Sequence, residues 1–120
     1  MDLRGSVFIV TGGASGLGAA TARMIVEGRG CVVIADLKED DGRELADELG
    51  AEAKFKRTDV TDEASGKAAV AAALDAFGAV HGLVNCAGIV HGEKIVGREG
   101  PHSLASFVRA ININLIGTFN

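Results

Sequence analysis

The sequence contains no tryptophan and no tyrosine, a single proline and only two cysteines. So little cysteine excludes a secreted disulfide scaffold, and Cys31 and Cys86, each within or at the end of an apolar run, read as reduced core thiols. Two cysteines make no zinc site without histidines at ligand spacing, which His81, His91 and His102 do not supply. No metal is therefore expected, and the three histidines read as surface or structural residues. No apolar run approaches the ~18 residues of a membrane span, and the N-terminus lacks signal-peptide character. Twelve Lys and Arg against sixteen Asp and Glu leave a net charge of −4. That balance argues against nucleic acid or an anionic membrane as partner, and a cytoplasmic location is expected.

What the chain has in excess is glycine, 17 of 120 residues, about twice ordinary usage. There is no G-X-Y period, so these glycines belong in turns and close backbone contacts. The length fits one compact domain.

Apolar patterning alternates along the chain. Val7 to Val10 is a short β-branched run ending at Thr11-Gly12-Gly13, and Leu17, Ala20 and Met24 then repeat at helical spacing up to Gly28 and Gly30. Cys31 to Ala35 is a second unbroken run. Leu45 and Leu49 mark a charged helix that stops at Gly50, and Ala53 to Arg57 reads as a weaker strand. Thr61 is the expected N-cap of the next helix, with Val70, Leu74 and Phe77 along one face and Gly78 at its end. Gly82 to Cys86 holds a fourth strand. Residues 89–102 form a polar, glycine-rich connection, and Ser103 to Asn120 reads as one last helix. Short apolar strands alternating with amphipathic helices predict a doubly wound, Rossmann-type α/β fold whose parallel sheet has the order 3-2-1-4. Cys31 and Cys86 then flank the first strand about 10 Å apart, too far for a disulfide.

The strongest local signal is the turn Thr11 to Gly18 between the first strand and first helix. Free N–H groups and the positive end of the helix dipole favour an anion there. Gly12 suits the tight turn, Gly16 the approach of a pyrophosphate, and Gly18 close packing of helix on strand. Ala19 stands where a nucleotide-triphosphate loop needs lysine, which removes that reading. Asp36 closes the second strand 18 residues beyond Gly18, where an acid accepts from ribose hydroxyls and repels a 2′-phosphate. This favours NAD over NADP. The bland readings are a ligand-free turn and, for Asp36-Leu37-Lys38-Glu39, a capping box in which Asp36 only caps a helix.

Thr11-Gly12, Gly16, Gly18, Asp36, Asp59-Val60, Asn85-Cys86-Ala87-Gly88 and Asn114 together resemble the short-chain dehydrogenase/reductase family along the whole chain. Val84 to Ile89 and Asn114 to Asn120 look most like its 3-hydroxyacyl-CoA dehydrogenase branch, which has a longer loop after the fourth strand, similar to residues 90–102. The resemblance implies that Ser15 and Leu17 contact the pyrophosphate side of NAD and that Asp36 holds the adenosine ribose. It places Asp59 on the adenine amino group with Val60 beside it, and Cys86, Ala87 and Gly88 on the nucleotide floor. Local alternatives are a helix cap for Asp59, core packing for Cys86 and a helix-core position for Leu17. Asn114 matches the family's catalytic asparagine, whose helix backbone holds a water of the proton relay; by itself it reads as a polar helix residue.

The family's proton donor is a tyrosine, followed by a lysine and preceded by a serine, all three after the asparagine in sequence. None of them is matched here, so residues 1–120 correspond to the cofactor-binding half of a single-domain enzyme. By themselves they are expected not to reduce a ketone. The implied reaction is hydride exchange between NAD and a secondary alcohol or ketone, in one version a 3-hydroxyacyl-CoA. The implied partners are that small-molecule substrate and further copies of the chain in a dimer or tetramer. The other reading is a non-catalytic NAD-binding or interaction module. A fourth strand at the sheet edge predicts association through Leu83 and Val84.

Overall fold

The computed structural model describes residues 2–120. Four strands, β1 (Val7–Thr11), β2 (Cys31–Asp36), β3 (Ala53–Arg57) and β4 (Gly82–Asn85), form a parallel sheet in the order β3-β2-β1-β4. Each crossover carries a helix: α1 (Gly16–Glu27), α2 (Glu39–Leu49) and α3 (Glu63–Phe77). The expected α/β class, element sequence and strand order are all present.

Alternation along the central strands divides the core in two. Phe8, Val10, Val32 and Ile34 face α1 and α2, where they meet Ala22, Ile25, Leu45 and Ala46. Val7, Ile9, Val33 and Ala35 face α3, which covers them with Ala69 and Ala73. Side chains buried on both faces explain why β1 and β2 read as continuous apolar runs and not as alternating ones. The small residues of α3 let its backbone lie close to the sheet but leave Val70 and Leu74 partly exposed, at 43% and 48%.

The structure departs from the sequence reading in four places. The cap of α3 is Asp62, whose carboxylate accepts from the N–H groups of Ala64 and Ser65. Thr61 instead gives its hydroxyl to Asp59 and cannot cap. The fourth strand ends at Asn85, one residue earlier than expected. The connection 89–102 contains a short antiparallel hairpin, β5 (Val96–Gly97) with β6 (Gly100–Pro101). At its base the Glu93 carboxylate accepts from Ser103 N–H at 3.3 Å and lies 3.1 Å from His91 Nε2 and 3.6 Å from His102 Nε2. The Ser103 amide first, and the two imidazoles after it, hold that carboxyl below the usual carboxylate range. Finally, the last helix is not uniform: α4 (Leu104–Ile111) passes into a π-helical stretch, Asn112–Ile116, before the closing turn α5 (Gly117–Phe119).

Cys31 and Cys86 are both free thiols, and burial followed by the nearby Glu52 carboxylate raises the pKa of Cys31. His81 is structural: its Nδ1 accepts from Val7 N–H at 2.9 Å, anchoring the start of β1. Among the described residues no helix is long and apolar enough to cross a membrane, and no three His, Cys, Asp or Glu side chains are grouped to hold a metal ion.

Candidate functional site

At the carboxyl ends of the strands lies a groove of about 640 Å³, the position where open parallel sheets bind ligands. Gly12, Ser15, Gly16, Leu17, Gly18, Asp36, Asp59, Val60, Cys86, Ala87 and Gly88 all line it. Four separate segments of the chain therefore converge on one groove.

The turn after β1 is closed by main-chain bonds, with Gly12 N–H and Gly13 N–H donating to the Ala35 carbonyl at 2.8 and 3.5 Å. Gly12 has φ +64°, and a Cβ there would stand 2.6 Å from the Ala87 nitrogen. Only glycine allows both the left-handed turn and the contact with the strand beyond. A Cβ on Gly18 would run into the Gly12 carbonyl, so Gly18 packs the helix onto its own turn. Gly16, by contrast, has open space where a side chain would project. Leu17 is 83% exposed and stands beside the groove, which removes the helix-core reading of this residue.

The helix that starts here is electrostatically unlike its neighbours. The Ser15 hydroxyl makes no capping bond, and no acid lies in the first turn of α1. α2 opens with Glu39, Asp40 and Asp41, and α3 with the Asp62 cap and Glu63. Of these three helices α1 is thus the one with neither an acid in its own first turn nor a side-chain cap, and its positive end faces the groove.

Asp36 does not cap α2. Lys38 occupies the N-cap position without a side-chain bond, and the Asp36 carboxylate is used elsewhere: Oδ2 accepts from Ala14 N–H and Oδ1 from Lys38 N–H, both at 3.0 Å. The carboxylate thereby ties the end of β2 to the glycine turn while keeping acceptor capacity toward the groove. The nearest cation in sequence, Lys38, has its ammonium 3.7 Å from Asp41. Asp59 accepts from the Thr61 amide and hydroxyl at Oδ1, 2.9 and 2.7 Å away. The hydroxyl first, then the amide, hold its carboxyl below the usual range. So the local-cap reading of Asp59 is partly right, though it closes a turn before α3 and does not cap the helix itself. Its Oδ2 makes no bond to the described residues.

On the far wall, Thr11 does work that the sequence reading gave no one. Its hydroxyl receives Ala87 N–H at 3.2 Å and approaches Asn85 Oδ1 at 3.4 Å, while its carbonyl receives Cys86 N–H at 3.0 Å. Thr11 thus carries the β1–β4 pairing past the last strand residue and sets the course of Asn85 to Gly88. Asn114 is likewise a positioning residue. Its side-chain amide donates to the Ile89 carbonyl and accepts from Ile89 N–H, both at 2.8 Å. A plain polar helix residue would make no such pair of bonds to a residue 25 positions away. Arg109 on α4 and Ile113 in the π-helical stretch, unmarked by any motif, also line the groove, and their i,i+4 spacing in sequence was the signal available for them.

The short chain dehydrogenase family pattern matches residues 6–120. The chain is 44% identical to 3-hydroxyacyl-CoA dehydrogenase type-2 of Bos taurus, covering 99% of this chain and 46% of that one. It is 43% identical to the Drosophila melanogaster protein of the same name, covering 98% and 47%. Among solved structures, 3-ketoacyl-(acyl-carrier-protein) reductase of Brucella melitensis complexed with NADH superposes with a TM-score of 0.89 at 36% identity, over 98% of this chain and 47% of that one. The 3-hydroxyacyl-CoA dehydrogenase type-2 of Mycobacterium avium gives 0.84 at 40% identity, over 95% and 44%. The chain spans about half the length of the relatives it matches.

Proposed function

We propose, for a chain that belongs to the short chain dehydrogenase family, the dinucleotide-binding role in an NAD-dependent oxidoreductase acting on a secondary alcohol or ketone, with a 3-hydroxyacyl-CoA as the favoured substrate class. The observation that carries this reading is the junction of three features in one groove: the N-terminus of α1, which has no side-chain cap or first-turn acid of its own, the glycine turn, and the Asp36 carboxylate 3.0 Å from Ala14 N–H. The residues fit the cofactor. Gly16 leaves room at the helix end for a pyrophosphate, and Ser15 keeps a hydroxyl free of the helix. Asp36 has acceptor capacity for two ribose hydroxyls. Asp59 Oδ2 suits the amino group of the base, with Val60 alongside.

The preference for NAD follows from charge. A 2′-phosphate beside Asp36 would meet a carboxylate, and the Lys38 ammonium is directed toward Asp41. When bound, the nicotinamide supplies the hydride acceptor for alcohol oxidation and, reduced, the donor for ketone reduction. This chain's own residues bind and orient. Cys86, Ala87 and Gly88 form the floor, held by Thr11, and Asn114 fixes the Ile89 backbone where the floor leaves the sheet. The relatives' names supply the substrate class, and a homo-oligomer is the proposed assembly.

Calorimetric titration with NADH and NADPH tests this reading. The wild-type protein is expected to bind NADH more tightly. Asp36→Ala weakens NADH roughly tenfold, the loss of one charge-assisted hydrogen-bonding group. Asp36→Asn narrows the gap between the two cofactors. Absence of dinucleotide binding, or a preference indifferent to both substitutions, overturns it.

A further inference from the structure

The nucleotide groove contains two basic side chains, Lys38 and Arg109. Lys38 is paired with Asp41, whereas Arg109 has no acceptor among the described residues, although the chain carries excess negative charge. A Cβ on Gly117 would come 2.6 Å from the Val60 side chain, so the end of the helix is seated against Val60. Ile113, in the π-helical stretch, and Arg109, on α4, line the same groove as Val60, the one adding an apolar side chain and the other a cation. Asp59, whose Oδ2 makes no bond to the described residues, lines it too.

Apolar side chains, one free acceptor and a planar cation in one groove fit a flat, electron-rich ring bearing an amino group. We propose that Arg109 is a binding residue for the purine of the dinucleotide, its guanidinium lying on the ring face that Ile113 does not cover. Arginine is suited to this because its charge is spread over a plane, while lysine offers a point charge. The proposal rests on the nucleotide reading of the groove and deepens it: Arg109 contributes to holding the base and has no part in the pyrophosphate site at α1.

The test is calorimetric titration of the purified protein and its Arg109→Ala and Arg109→Lys variants with AMP, NADH and the reduced nicotinamide mononucleotide. Arg109→Ala is expected to weaken AMP and NADH roughly tenfold and leave the mononucleotide unchanged. The loss should be equal at about 50 and about 300 mM KCl, because a stacked contact is less screened than a phosphate pair. Arg109→Lys should recover only part of it. Unchanged AMP affinity, full rescue by lysine, a loss confined to low salt, or an equal loss for the mononucleotide each overturns the proposal. If the unaltered protein binds neither AMP nor NADH, the nucleotide reading itself has failed, and this one with it.

Discussion

β3 and β4 are both outer strands, yet β3 carries Lys54, Lys56 and Arg57 among its five residues, while β4 carries Leu83, 54% exposed, and no charge at all. On β3 the apolar Phe55 lies under Gly42 of α2, so closely that a Cβ at Gly42 would meet the ring. On β4 the residue opposite Phe8 is Gly82, Val84 packs against the core on the α1 side, and Leu83 is left exposed on the other face. Lysines along an outer strand discourage a further strand from pairing, whereas a short apolar strand invites one. The sheet is thus finished on one side and receptive on the other. The groove lies over the middle, where β1 is buried along its whole length between two neighbours.

If β3 is the finished edge, crowding it should do the most harm. Gly42→Val is expected to cost about 2 kcal/mol, seen as a lower urea midpoint, because the branched side chain displaces Phe55. The same substitution at Gly16, where the Cβ meets nothing, would cost only the strain of its positive φ, so the pair separates packing from backbone conformation. Next in size is Asn114→Ala, which leaves Ile89 without either of its side-chain partners and should cost about 1–2 kcal/mol. Hydrogen exchange of the Ile89 amide should accelerate in the same variant. Asp62→Ala should remove about 1 kcal/mol by uncapping α3, while Ser15→Ala should leave the melting temperature unchanged and weaken only NADH.

At the receptive edge, Leu83→Lys should change stability by less than about 0.5 kcal/mol yet reduce self-association in sedimentation velocity. The comparison fails if Lys54→Leu, the reverse change on β3, leaves self-association in sedimentation unchanged. The smallest effect belongs to pH. Asp59 is held below its ordinary value by Thr61, so its contribution is complete above the unfolded carboxylate value and is lost as pH falls through the folded one. Asp59→Asn should therefore lie below wild type in urea midpoint near neutrality, with the two curves converging in acid.

Strand order, helix order and the glycine turn with Asp36 were legible because they depend on periodicity and on glycine at a strand-to-helix turn, both local properties; Ser15, Leu17, Asp59, Val60 and Cys86 to Gly88 entered only through the family resemblance. What was not legible depends on contacts distant in sequence. Thr61 and Asp62 are equally good caps on paper, and only the position of Asp59 decides between them. Nothing in Ile111-Asn112-Ile113-Asn114 announces a π-helical stretch, since its helical period is intact. The hairpin pairs only two residues on each side, too few for any alternation to show, although Gly97, Gly100 and Pro101 bracket its turn. Leu17 fits a helix-core position in the pattern and is exposed because the groove, not another helix, lies beside it.

The bond pair between Asn114 and Ile89 has a further meaning. A side-chain amide that both gives to and takes from one residue's backbone reproduces what a neighbouring strand would do for it. At that single position the helix stands in for the next rung of the sheet, and the ladder begun in β1 and β4 runs on into the π-helical stretch. Strand ends and helix then move as one body. Gly88 belongs to the same joint, because a Cβ there would stand 3.2 Å from Asn114 Oδ1, so only a residue without a side chain lets the helix come this near.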